Sequence, residues 1–297
     1  MRKLWLASAA VALLAGASTC PASAGVVEDY ATFTSSAGLT LVGSAAISAN
    51  QLALTDGNGG ETGAAYSTST VTLGGSDTFS TTFQFQISQA GGTAPADGFT
   101  FVLAAGSSGL GSSGQGLGYQ GVPNSVAVEF DTYDNGSDDG DSSNHVAIDI
   151  DGHVTDGSSD SDQDLANVYG QQTCDFGSSP NNYNRPGCLS NGDVWTVTIG
   201  YSGSALSVQM SDPAESGPDT VIASYPIDLD SILGTDTAYV GFTAGDASGY
   251  EQHAILNWQF ANDTSLASSI VPEPSSLVLL GVGLIGLGVR RSRRRKG

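Results

Sequence analysis

An all-β fold, either a sandwich or a barrel, is what this sequence predicts for its body, and three observations carry that reading. Short runs rich in β-branched and aromatic residues recur along the chain, among them "TFSTTFQFQI", "GFTFVLA", "SVAVEFDTY", "HVAIDI", "DVWTVTIGY", "ALSVQM", "AYVGFTA" and "AILNWQF". Gly, Asn, Asp and Ser separate these runs, as turns separate strands. No stretch between Gly25 and Ala261 sustains the three-and-four apolar spacing of an amphipathic helix. Many short strands joined by turns close into a sandwich or a barrel. No internal repeat of solenoid or propeller length is visible.

Taken in order, the chain opens on "MRKLWLASAAVALLAGASTCPASAG", with a basic start, an apolar run and Ala22-Ser23-Ala24. That layout predicts a signal peptide over residues 1–24, with Cys20 removed on cleavage. In "STTFQFQI" the side chains of Phe83, Phe85 and Ile87 share one face and those of Gln84 and Gln86 the other. The segment "AGSSGLGSSGQGLGYQG" is low in complexity and predicts a flexible loop. Cys174 and Cys188, the two cysteines left in an exported chain, predict one disulfide closing "CDFGSSPNNYNRPGC". His153, His253 and the run "DGSSDSDQD" are expected at the surface. Residues 262–270 turn small and polar, as a linker would, and a 13-residue apolar and glycine run from Leu277 to Val289 precedes a basic end. Such a run spans ~20 Å as a helix, short for a permanent membrane anchor.

Charge excludes one class of partner. Between residues 25 and 270 there are 29 acids and a single cation, Arg185, a net charge of −28. Nucleic acid, whose phosphates need Lys and Arg, is not the ligand.

The stretch Val126–Ile150, "VAVEFDTYDNGSDDGDSSNHVAIDI", carries the chemistry. Strand alternation puts Glu129, Asp131 and Tyr133 on one face, where two carboxylates repel unless a cation or proton lies between them. Asn135 follows in the turn, with Asp138, Asp139 and Asp141 behind it, and His145 opens the returning strand across from the acids. Carboxylates, an amide and backbone oxygens suit Ca²⁺, and adding one imidazole suits Mn²⁺ or a similar ion. The strand "EFDTYD" also admits a hydrolase reading, with Glu129 as nucleophile and Asp134 as acid, although neither Asn135 nor His145 belongs to that scheme.

"VAVEFDTYDN…NHVAIDI" resembles the metal-binding segment of the legume-type (L-type) lectins, and four further segments agree in order. These are "ADGFTFVL", "GLGYQG", "VWTVTIGYSGSALSVQM" and "AYVGFTAGDASGYEQHAILNWQF". The resemblance covers most of residues 25–261 and implies a concanavalin-like jelly-roll sandwich without catalysis. It assigns Glu129, Asp131 and His145 to a transition-metal site, and Asp131, the Tyr133 carbonyl and Asn135 to calcium. The family's second bridging Asp falls five residues before the His, a position held here by Gly140. Asp141 is the expected replacement, with Asp139 the alternative. For sugar, the resemblance implies Asp97 preceded by a cis peptide bond, the Asn135 amide, a backbone N–H at Gly116 and the Tyr133 ring. It places specificity in the loop Gly245–Tyr250. Sandwiches of this family often pair through their back sheets, so a homo-oligomer is a further implication.

The tail, Val271-Pro272-Glu273-Pro274 followed by a short apolar helix and a basic cluster, is similar to the PEP-CTERM sorting signal over residues 271–297. That resemblance implies export in a Gram-negative bacterium, a transient transmembrane segment at 277–289, removal by an exosortase, and a destination at the cell surface or in the extracellular matrix. Together these readings describe an exported, calcium-dependent lectin for exopolysaccharide or other surface glycans. A structural matrix or adhesion protein with a lost sugar site is the alternative on the same fold.

Overall fold

The computed structural model describes residues 25–73, 78–107, 109–154, 165–176, 183–262 and 266. The signal peptide, the acidic run 156–164 and the sorting tail with its apolar segment lie outside them. Among the described residues no helix is long and apolar enough to cross a membrane.

The first strands are β1 (Val26–Tyr30), β2 (Leu39–Gly43), β3 (Ala46–Ser48), β4 (Gln51–Ala53), β5 (Thr62–Ser67) and β6 (Val71–Thr72). The middle of the chain forms β7 (Phe79–Gly92), β8 (Gly98–Ala104), β9 (Ser125–Asp131), β10 (His145–Ile150) and β11 (Ala166–Asn167). Then come β12 (Trp195–Tyr201), β13 (Ala205–Ser211), β14 (Asp219–Pro226), the short helix α1 (Leu229–Leu233), β15 (Thr237–Gly245) and β16 (Gly249–Asn262). Two antiparallel sheets result. The back sheet runs β14-β13-β12-β7-β16-β4-β3 with β1 beside β16, and the front sheet runs β11-β10-β9-β8-β15-β5-β2 with β6 beside β15. This is a jelly-roll sandwich, as expected.

Alternation sorts the side chains. On β9, Val126, Val128 and Phe130 enter the core between the sheets, so Ala127, Glu129 and Asp131 face outward. The inter-sheet core is aromatic: Phe99 stacks on Phe130 at 4.7 Å, and Phe83 meets Phe242 edge-on at 5.0 Å. Phe83, Phe85 and Ile87 are fully buried there, as the "FQFQI" pattern requires.

The glycine-rich segment departs from its expected flexibility. Gly111 and Ser112 donate to the carbonyls of Gly118 and Gln120 at 2.7 and 3.0 Å, and Leu117 and Tyr119 are fully buried. The segment lies over the outer face of the front sheet, where Tyr119 and Val122 cover Ala64, Tyr66, Val102 and Ala127 in a second small core. Its glycines mark close approach: a Cβ on Gly118 would lie 2.6 Å from the Ala244 carbonyl. A further correction concerns His253, expected at the surface. It is fully buried on β16, facing Phe99 at a ring distance of 6.4 Å, whereas His153 is exposed.

Candidate metal centre and the pocket beside it

Register lines the site up across the end of the front sheet. His145 pairs with Asp131, Asp131 with Gly98, and Gly98 with Gly245. The ends of β10, β9, β8 and β15 therefore present their loops side by side. Gly98 is required here, since a Cβ would lie 2.3 Å from the Phe130 carbonyl oxygen.

Glu129, Asp131 and His145 each offer one ligand atom, and these atoms all lie within 4.8 Å of one another. All three residues are buried. His145 Nδ1 lies 3.2 Å from the Ser142 carbonyl, which can only accept, so Nδ1 carries the proton. The lone pair on Nε2 then faces Glu129 Oε1 at 3.0 Å. Two acceptors this close repel unless a proton or a cation sits with them. The arrangement matches a metal ligand whose second ring nitrogen is fixed by a hydrogen bond. Burial pushes the Asp131 carboxyl well up and Glu129 and Asp139 add repulsion, while His145 and the Tyr133 N–H oppose them.

The loop between β9 and β10 folds on its own side chains. Asp131 Oδ1 accepts from the Tyr133 N–H at 2.6 Å, and Asp139 Oδ2 accepts from the Asn135 N–H. A short 3-10 turn at Gly136–Asp139 buries Asp139, whose charge acts on both Asp131 and Asp97. Asp141 instead is exposed, with φ +58°. The turn closes two residues earlier than the sequence reading assumed, so the carboxylate brought to the cluster is Asp139, the alternative, rather than Asp141. The glycines at 136 and 140, both at positive φ, are the signal for that tight turn.

Asp97 follows a cis peptide bond from Ala96. Its carbonyl accepts from the Thr132 N–H at 2.9 Å and its own N–H donates to Gly245 at 3.4 Å, so the metal loop and the β15 end both grip it. The carboxyl is buried, Oδ2 has no hydrogen-bond partner, and burial with repulsion from Asp246 and Asp139 pushes its pKa up to about 7. Asn135 Oδ1 is likewise buried without a partner. Gly116 does not reach this pocket: its N–H donates to Ser113 at 3.2 Å and its Cα side is closed by Ser112 and Gln120. The glycine beside Asp97 is Gly114, where a Cβ would stand 3.9 Å from Asp97 Oδ2. In the loop Gly245–Tyr250, Asp246 accepts from the Glu61 N–H at 2.7 Å, and Tyr250 packs against Gly91. The hydrolase pairing does not form, because Asp134 is exposed and caps the Gly136 N–H at 2.7 Å while Glu129 is buried on the strand.

Two supports flank the site: a buried acid–histidine pair that the sequence did not announce, and the expected disulfide, whose attachment to the metal hairpin is new. On the inner face, Thr132 donates to Glu251 Oε2 at 2.8 Å, and His253 Nε2 lies 3.9 Å from the same oxygen. Burial pushes Glu251 up from 4.5 to about 8 and His253 down from 6.5 to about 3. The signs differ. A raised acid contributes stability that is lost as pH rises from 4.5 through 8, and a depressed histidine contributes stability that is lost as pH falls from 6.5 through 3. The two slopes oppose between 4.5 and 6.5. Melting temperature against pH in calcium is therefore expected to decline above pH 6.5 in the wild type, and Glu251→Gln is expected to flatten that decline.

On the other side, Cys174 and Cys188 are disulfide-bonded. The strap they close is sewn to the metal hairpin: the Cys174 N–H donates to Ser143 Oγ at 2.8 Å, and Ser143 N–H to Gln172 at 3.0 Å. Asn144, next to His145, donates to the carbonyls of Val168, Gln171 and Gly187 and accepts from the Leu189 N–H. Closing a loop of this length contributes ~3 kcal/mol. Reduction is expected to lower unfolding free energy by about that amount in denaturant titrations, and to weaken metal affinity because the mount of His145 loosens.

A two-sheet sandwich with a carboxylate–histidine hairpin and a buried aspartate on its front sheet defines a lectin-type binding domain. Residues 29–275 match the legume lectin domain and residues 271–295 the PEP-CTERM protein-sorting motif; the chain belongs to the legume lectin family. A lectin of Leucomphalos mildbraedii is 31% identical over 218 residues, covering 68% of this chain and 78% of that one. The L-type lectin-domain containing receptor kinase VII.1 of Arabidopsis thaliana is 29% identical over 252 residues, 80% of this chain but 34% of the kinase. The chain thus spans about a third of such receptors. Among solved structures, basic winged bean lectin with Tn-antigen superposes with a TM-score of 0.63 at 26% identity, covering 80% of this chain and 97% of that one. The Bauhinia forficata lectin in complex with GalNAc gives 0.63 at 22% identity, covering 80% and 98%.

Proposed function

We propose that this chain is an exported, calcium-dependent carbohydrate-binding protein. The observation that carries the reading is a cage of buried carboxylates, Asp97, Glu129, Asp131 and Asp139, in a body with one basic side chain. That side chain, Arg185, donates to the Thr173 carbonyl. No lysine or arginine is there to balance the acids, so the fit is to metal ions. Asp131, Asn135, Asp139 and the Tyr133 carbonyl would hold calcium; Glu129, Asp131, Asp139 and His145 would hold Mn²⁺ or a similar ion. When bound, the cations supply positive charge that offsets the repulsion on Asp97 and fix the loop from Asp131 to Asp139.

The protein's own residues then do the binding. Asp97 accepts from two adjacent sugar hydroxyls, Asn135 contributes its side-chain amide, Tyr133 offers its ring to an apolar sugar face, and Gly114 leaves the pocket open beside Asp97. The loop Gly245–Tyr250, held by Asp246, sets which sugar fits. The sorting motif supports export, exosortase processing and a place at the cell surface or in the matrix, and makes exopolysaccharide the glycan of choice. Neighbours solved with GalNAc and Tn-antigen make galactosides the first probes.

The test is a glycan array probed with the mature chain in calcium and manganese and again in EDTA. EDTA-sensitive binding is the expected result. Silence in both conditions, with calcium still raising the melting temperature, would replace the lectin reading with a structural matrix protein on the same fold.

A further inference from the structure

Asn135 is followed by Gly136, and an Asn-Gly step is the one in which a side-chain amide is most easily lost. Glycine has no Cβ to shield its nitrogen from the preceding side chain. The chain has three such steps, at Asn58, Asn135 and Asn191. The fold treats them differently. Asn191 is locked: its Oδ1 accepts from the Asp193 N–H at 2.8 Å and from Trp195 Nε1 at 3.2 Å, and its Nδ2 donates to Asp212 at 2.9 Å. Asn58 is exposed on the loop between β4 and β5, where its backbone N–H and its amide both donate to Asp56. Asn135 is half-buried at the head of the metal loop, and its Oδ1 has no hydrogen-bond partner among the described residues. Gly136 sits at φ +76°, which favours glycine, so the turn itself demands the vulnerable step.

Two features of the closed loop hold the reaction off. With ψ of 20° at Asn135, the Gly136 nitrogen is nearly eclipsed with the nitrogen of Asn135 itself. It is turned away from Cβ, with which it would have to close a five-membered ring. The Gly136 N–H also donates to Asp134 Oδ1 at 2.7 Å. That carboxylate, with Asp138 and Asp139 in the same turn, opposes the build-up of negative charge on the nitrogen.

We propose that Asn135 is a gated deamidation site, protected while the metal loop is closed and reactive when the loop is released. The Gly136 nitrogen gives its proton to solvent base and attacks Asn135 Cγ. An N–Cγ bond forms, the Cγ–Nδ2 bond breaks, and Nδ2 leaves as ammonia with a proton taken from solvent. Water then opens the succinimide at either carbonyl, leaving aspartate or isoaspartate. One water enters and one ammonia leaves. The consequence rests on the lectin reading above: the product has lost the amide offered to sugar and adds a negative charge beside Asp139. The isoaspartyl form also lengthens the loop backbone by a methylene. A loop left open long enough therefore turns a reversible loss of binding into a permanent one.

The test holds the mature chain at mildly alkaline pH, calcium-loaded and EDTA-stripped, and follows the three asparagines by peptide mass mapping. With calcium about a hundredfold above Kd, the released loop is rarer by about that factor, so Asn135 is expected to convert at least about tenfold faster in the stripped protein. Asn58 is expected to convert at similar rates in both conditions, and Asn191 to stay intact in both. Equal rates at Asn135 in the two conditions, or no conversion in either, would overturn the gate. Parallel conversion of Asn191 would overturn it too, because that residue reports unfolding of the whole domain. Asp134→Ala, outside the proposed metal and sugar ligands, is expected to speed conversion of Asn135 in the loaded protein several-fold; an unchanged rate counts against the proposal. Calorimetry separates the gate from the lectin reading. Stripped protein that is aged and returned to calcium is expected to lose glycoside heat in proportion to conversion at Asn135. Full heat after complete conversion would take Asn135 out of the sugar site and overturn the permanent loss, and no heat from fresh protein would overturn the lectin reading alone.

Discussion

Asp97→Asn is expected to abolish glycan binding, lowering affinity at least about a hundredfold, while calcium still raises the melting temperature as in the wild type. Two charge-assisted hydrogen bonds to hydroxyls account for about 3 kcal/mol, which is that factor. The substitution is nearly isosteric, and the backbone of residue 97 keeps its grip on Thr132 and Gly245. What changes is the buried carboxylate, whose Oδ2 has no partner among the described residues. An amide there can present a donor to a hydroxyl that itself needs an acceptor. Glycan binding by Asp97→Asn within tenfold of wild type, measured by calorimetry, would remove Asp97 from the pocket and with it the alignment of the site on the front sheet.

Stripping the metals is expected to have the second large effect. At a thousandfold excess over Kd, a bound ion contributes about 4 kcal/mol, so EDTA should lower the melting temperature by about 10 °C. The companion variant makes the prediction sharper. In the stripped protein Asp131 faces Glu129 and Asp139 at close quarters, so Asp131→Asn relieves repulsion and should melt above stripped wild type. In calcium the order should reverse, because the variant lacks the shared ligand. A variant that tracks wild type in both conditions would show that the hairpin acids hold no metal ion.

Much of this was written in the local pattern of the chain. The runs "GFTFVLA" and "HVAIDI" coincide with β8 and β10 to the residue, because alternation with a fully apolar inner face leaves one register open. Glu129, Asp131 and His145 converge for the same reason: period two puts the acids on one face, and the hairpin returns the histidine opposite Asp131. The failures have a common physical cause, which is burial produced by contacts distant in sequence. Asp139 and Asp141 look equivalent until a 3-10 turn buries one and exposes the other. His253 looks like a surface polar residue until β16 docks on β7 and turns it inward against Thr55, at 2.8 Å. The N–H groups of Gly116 and Gly114 both donate within the protein, and what separates the two is that the packed loop sets Gly114 beside Asp97. The early strand β5 carries small residues such as Ala64, whose burial depends on Tyr119 arriving from a loop more than fifty residues later. Asn144 gave no signal, since four hydrogen bonds to residues 24 to 45 positions away cannot be read from its neighbours.

The central claim is that metal ions assemble the sugar pocket. The direct test is a calcium titration of EDTA-stripped protein, with the heat of glycoside binding measured at each step. The account predicts that sugar heat is absent from the stripped protein and grows with calcium occupancy to saturation. Glycoside binding of undiminished affinity in the fully stripped protein would contradict it.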